Sequence, residues 1–183
     1  LTGYQGILGY VPRTTSTSPP TIPAPAFDAN RQAEIEAVKP VIERLKETGW
    51  TFGSHTWGHI RLDSRPLESV QRDTVRWAEE VGSLVGPTNI LFYPHGGRPD
   101  GDDWHSTGPV FQYLQSQGFR IFASVGINSF SYIKKDISAV ICDRLHPDGT
   151  TLRNGKALEW YSQFYDAREI IDLDVRPDLG VTW

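Results

Sequence analysis

The chain reads as an α/β protein, a parallel sheet whose strands are joined by crossover helices. Two observations lead there. Amphipathic stretches of helical period alternate with single short apolar runs, which requires crossover connections, and glycine or proline punctuates the junctions. No internal repeat competes with that reading.

Leu1 to Val11 is apolar and punctuated by glycine, an extended start, and Pro12 to Ala26, rich in Pro, Ser and Thr, is a long surface loop. From Asp28 to Thr48 the positions Ile35, Val38, Val41, Ile42 and Leu45 fall at helical spacing, with Asp28 as N-cap, Pro40 as a kink and Gly49 as the stop. Trp50 to Gly53 is a strand. Leu67, Val70, Trp77, Ala78, Val81, Leu84 and Val85 mark a second helix, capped by Ser64 and ended by Gly86-Pro87. Asn89 to Tyr93 is the next strand, Pro109 to Gln117 a short helix, and Phe119 to Val125 and Ala139 to Cys142 are strands. Ala157 to Tyr165 is helical, and Asp166-Ala167-Arg168-Glu169 has the form of a capping box opening a last helix.

A net charge of −4 without a basic stripe argues against nucleic acid as a partner, and no apolar run reaches the length of a membrane span. With 38% hydrophobic content, residues 1–183 are enough for one domain with one core. The single cysteine, Cys142, excludes an internal disulfide and, beside Ala139, Val140 and Ile141, reads as a buried thiol. Six Trp and seven Tyr suit either an aromatic core or platforms for sugar rings. The sequence has no methionine and no secretory signal at Leu1, and a processed or truncated piece is expected.

The stretch that carries chemistry is His55-Thr56-Trp57-Gly58-His59, two imidazoles four residues apart just after a short apolar run. Imidazole suits zinc and similar divalent ions, and two close histidines need one carboxylate and a water to complete an open catalytic site. A polar loop or capped helix with two surface histidines is the other reading of that spacing. Gly53-Ser54-His55-Thr56-Trp57-Gly58-His59 resembles the H-[ST]-x-x-x-H metal motif of the polysaccharide deacetylases, carbohydrate esterases that share the chitin deacetylase and nodulation-protein homology domain. Leu45-Lys46-Glu47-Thr48-Gly49-Trp50 is similar to that family's approach to the motif. Phe92-Tyr93-Pro94-His95-Gly96-Gly97 is similar to its third motif, and Gln117-Gly118-Phe119 to the helix-to-strand turn that follows. The resemblance runs from about Gly3 to Pro177.

That resemblance implies a distorted seven-stranded (β/α) barrel, here incomplete at its amino-terminal strand. It also implies a metal-dependent hydrolase removing acetyl groups from an acetylated polysaccharide, with an envelope or extracellular location. His55 and His59 would bind the divalent metal, Zn2+ foremost. The third ligand and the general base, both aspartates in the family, would lie upstream of Leu1, on a missing amino-terminal segment of the same domain. The backbone N–H of His95, at the position of the family's tyrosine, would serve as an oxyanion donor. His146 stands where a late acid histidine is sought, with a turn before Pro147-Asp148-Gly149 as the other reading. Trp57, Tyr93 and Arg144 would line the substrate groove. The position of the family's motif arginine falls on Phe92. Asp100-Gly101-Asp102-Asp103-Trp104 spells a family motif but follows the third motif at once, so a solvated acidic loop that includes His105 is the preferred reading. These departures keep open an alternative, a degenerate non-catalytic carbohydrate-binding member of the same fold.

Overall fold

The computed structural model describes residues 1–10, 24–101, 108–125, 131–135, 138–144, 159 and 162–163. Helix α1 spans Ala24–Glu47, α2 Leu67–Trp77, a π-helical turn Ala78–Gly82, α3 Ser83–Val85 and α4 Pro109–Ser116. Strands β1 Ile90–Phe92, β2 Ile121–Val125, β3 Ser131–Lys134 and β4 Ala139–Arg144 form a sheet in the order β1-β2-β4-β3. The chain divides into two compact units, Leu1–Ser124 with Ser131–Cys142, and Val125–Phe130 with Asp143–Trp183. In the second unit, Ser162 Oγ donates to Glu159 O at 2.6 Å. The helices expected over Ala157 to Tyr165 and after Asp166 otherwise lie outside the described residues.

The protein is α/β, as the alternation of patterns predicts. β1 and β2 pair in parallel, with Ile90 opposite Ile121, Leu91 opposite Phe122 and Phe92 opposite Ala123. Ser54 takes the other side of β1: its N–H donates to Ile90 O at 2.9 Å and its carbonyl accepts Phe92 N–H at 2.8 Å. Leu1 repeats the pattern one place further, donating to Gly53 O at 2.7 Å and accepting His55 N–H at 2.9 Å. Leu1, Ser54, Leu91 and Phe122 therefore stand in one row of backbone hydrogen bonds. The strand expected over Trp50 to Gly53 contracts to the Ser54 bridge, because Trp50 is 66% exposed and burial begins only at Gly53. β3, which the sequence reading left out, pairs antiparallel with β4, so the sheet is mixed.

Helix α1 starts inside the expected loop, because Pro25 suits a first turn whose N–H groups have no helical partner. Asp28 therefore lies within the helix rather than at its cap, and the helix runs through Pro40. The residue before α2 is Pro66, not Ser64. The expected helix over Leu67 to Val85 is interrupted at its middle by the π-helical turn, and Val70, Trp77, Val81 and Val85 are all buried across that turn.

Two apolar clusters hold the first unit. Val70 of α2 and Val110, Phe111 and Leu114 of α4 pack with Leu91, Phe122 and Ile141 of the sheet. Val38 and Ile42 of α1 pack with Ile7, Trp77, Val81 and Val85, and Leu1, Phe52 and Trp57 join them. Phe122 is 0% exposed, with its ring centre 4.7 Å from that of Phe111. Phe122→Ala should therefore cost about 3–5 kcal/mol. Urea unfolding followed by circular dichroism checks this, and a midpoint equal to that of the parent would contradict the packing described.

Candidate metal and active site

Because Ser54 is locked to β1, the next residue, His55, is brought to the end of that strand, and its Nδ1 lies 2.8 Å from Phe92 O. A carbonyl oxygen only accepts, so Nδ1 carries the proton and Nε2 becomes the basic nitrogen. Metal-binding histidines are oriented in this way by a carbonyl or carboxylate behind the ring. The His59 ring stands 4.8 Å from that of His55, centre to centre, at 71°. Two imidazoles on one tetrahedral ion, each nitrogen about 2 Å away, place their ring centres roughly 5 Å apart, so this pair fits a shared cation. The His95 ring meets His59 edge-on at 4.4 Å, and Tyr4 stands beside His59 at 6.4 Å. Among the described residues no group of three or more His, Cys, Asp or Glu is placed to enclose an ion.

The loop between the ligand candidates departs from ordinary backbone conformations. Thr56 and His59 are left-handed, with φ of 60° and 53°, which is costly for side chains of this kind unless the surroundings enforce it. Ser54 Oγ accepts Thr56 N–H at 3.2 Å and Thr56 Oγ1 accepts Ile60 N–H at 3.1 Å. From α2, Asp73 accepts Trp57 N–H on Oδ1 and Gly58 N–H on Oδ2, both at 2.7 Å. Burial pushes the Asp73 carboxyl up, against the opposing pull of those two N–H groups and of Arg76.

Trp57 anchors this loop to the polar row that begins in α2. Its Nε1 donates to Glu80 Oε2 at 2.6 Å, and the Arg76 guanidinium covers the ring 3.5 Å from its centre. Arg76 Nε also donates to Glu80 Oε1 at 3.1 Å. Gly3 closes the remaining space, since a Cβ there would stand 2.0 Å from Trp57 Cδ1. Trp57, expected to line the substrate groove, is half-buried with Arg76 over one face of its ring.

His95 lies in a 3₁₀ turn over Pro94–Gly96, left-handed at φ 56° and exposed. Ser124 Oγ donates to Gly96 O at 3.2 Å and accepts from Arg98 Nε at 3.4 Å, which holds the turn to the end of β2. Tyr93, expected in the groove, is 3% exposed and packs in the core with Phe122, so its ring supports the fold. Arg144 ends β4 in the second unit, where burial pushes its guanidinium below the usual arginine range. Asp102, Asp103, Trp104, His105 and His146 lie outside the described residues. Asp100 accepts the N–H groups of Val110 at 3.1 Å and Phe111 at 2.9 Å, and so caps α4, whose own N-cap residue is Gly108. Asp63 is held below the usual carboxylate range by Arg61 beside it.

Sequence reasoning missed Asp73, Tyr4, Glu80 and Ser124. Asp73 and Glu80 sit on the polar side of an amphipathic helix, where carboxylates ordinarily face water, and no spacing links them to a loop 15 residues or more away.

A family model described as polysaccharide deacetylase matches residues 21–119, more than half of the chain and all three clustered histidines. Comparison with solved structures finds similarity to a Mycobacterium smegmatis protein described provisionally as a polysaccharide deacetylase. The identity is 14% and the TM-score 0.43, with 84% of this chain and 53% of that one covered. The chain thus spans about half the length of that protein. The comparison with curated proteins finds no match.

Replacing Asp100 with alanine removes two N–H acceptors at the start of α4 and should cost about 1–2 kcal/mol of stability. Urea unfolding measures this, and an unchanged midpoint would return Asp100 to the solvated loop expected from sequence.

Proposed function

We propose, because this chain belongs to the polysaccharide deacetylase family, that it is a metal-dependent hydrolase removing acetyl groups from an acetylated polysaccharide, either an N-acetyl amino sugar or an O-acetyl ester. The observation that supports this most is the His55–His59 pair, 4.8 Å apart with the first ring fixed by Phe92 O. When bound, a divalent ion, zinc in this reading, supplies Lewis acidity toward the acetyl carbonyl. His55 and His59 hold it through ring nitrogens. In this reading two carboxylates complete the site, one as third ligand and one as general base. Leu1 stands in parallel register beside Ser54, so it is the residues after Leu1 that run toward the ligand pair.

In this reading the His95 N–H donates to the oxygen that gains charge as the acetyl carbon is attacked, a role set by the path of the chain rather than by the ring. His146 gives a proton to the leaving group, and Arg144 contacts the sugar. In this reading the domain closes as a seven-stranded (β/α) barrel and works on cell-envelope or extracellular polymer.

Acetate release from acetylated oligosaccharides by the zinc-loaded, full-length protein tests the proposal. His55→Ala or His59→Ala should reduce bound zinc from about one ion per chain to nearly none and abolish acetate release. Stoichiometric zinc retained by both variants, or polymer binding without acetate release by the parent, would overturn it. His146→Ala should slow acetate release about 100-fold with zinc retained, whereas His95→Ala keeps its N–H and should stay within a few-fold of the parent rate.

A further inference from the structure

Between the two histidines, the loop depends on a carboxylate that comes from far along the chain. With Thr56 left-handed at φ 60°, the N–H groups of Trp57 and Gly58 point the same way and form a small concavity for an anion. Asp73 fills it with one oxygen on each N–H, both at 2.7 Å, from 16 and 15 residues further on. Trp57 O also accepts the N–H groups of Gly3 and Tyr4, both at 3.0 Å, which ties the loop to the start of the chain. Ser54 Oγ to Thr56 and Thr56 Oγ1 to Ile60 are local, and Asp73 is the side chain that holds the loop N–H groups to α2.

We infer that Asp73 is the positioning residue of the histidine pair: its carboxylate pins Trp57 and Gly58, and thereby sets the separation at which the His55 and His59 rings meet one cation. This rests on the metal reading given above. The clamp is two-sided by geometry, so a neutral amide of the same size cannot replace it. Asparagine offers one acceptor oxygen and turns its NH2 toward the second N–H, which converts one hydrogen bond into a donor-donor clash. A burial-raised carboxyl is also consistent with a group kept out of water by the loop it holds.

The test uses Co2+ as the probe, with the full-length protein, reading affinity and ligand-field absorption together with amide hydrogen exchange. Asp73→Asn should bind Co2+ about 10- to 100-fold more weakly, with an altered spectrum and faster exchange at Trp57 and Gly58. Asp63→Asn, which alters the surface pair with Arg61, should match the parent in affinity and spectrum. A folded Asp73→Asn protein with parental Co2+ affinity and spectrum overturns the inference. Should that variant fail to fold, exchange in the metal-free parent is decisive: Trp57 and Gly58 amides protected before metal is added support the clamp, and amides exchanging like an unstructured chain overturn it. A parent that takes up no Co2+ removes the metal reading instead, and the same exchange measurement then reports on the clamp by itself.

Discussion

The two backbone hydrogen bonds between Ser54 and β1, at 2.9 and 2.8 Å, govern where the rings of the site stand. One engages Ile90 O and the other the Phe92 N–H, and His55, one residue beyond Ser54, then reaches the Phe92 carbonyl with its ring. β1 continues through Tyr93 into the turn that carries His95. One strand contact thus delivers two of the three imidazoles, and the loop returns the third to meet both. Strand side chains alternate with a period of two. A slip of one residue between Ser54 and β1 would bury His55 and expose Ser54, and the cluster would not form.

Helix α2 serves two clients with two faces. Val70 and Trp77, with Val81 in the π-helical turn beyond, go into the apolar clusters. Asp73 and Arg76, with Glu80 in the π-helical turn beyond, make a polar row that grips the histidine loop through its backbone and the Trp57 ring. The indole of Trp77 joins the two roles, since it is buried while its Nε1 donates to Leu1 O at 2.9 Å. The same helix therefore supports the core, the extended start of the chain and the candidate site.

What was legible in the sequence follows from which signals are local. The strands at Ile90–Phe92 and Ile121–Val125 and the helix at Pro109–Ser116 stand where apolar runs and their terminators place them, within the residue or two by which ends fray. The histidine pair was legible because its two members share a loop. His95 was placed by its motif, but its ring contact with His59 is a product of strand pairing that spacing does not encode. Asp73 was hidden because its partners are peptide N–H groups, which every residue except proline carries. Tyr93 misled for a related reason: an aromatic residue beside such a motif looks the same in sequence whether its ring meets a groove or a phenylalanine.

The left-handed backbone at Thr56, His59 and His95 sets stability against chemistry at this site. Glycine adopts such angles at little cost, histidine at more, and the β-branched Thr56 at most. For the fold alone, glycine would relax the chain at His59 and His95. A search for thermostable variants that scored only melting temperature would be drawn toward these two positions and would remove two of the three clustered imidazoles.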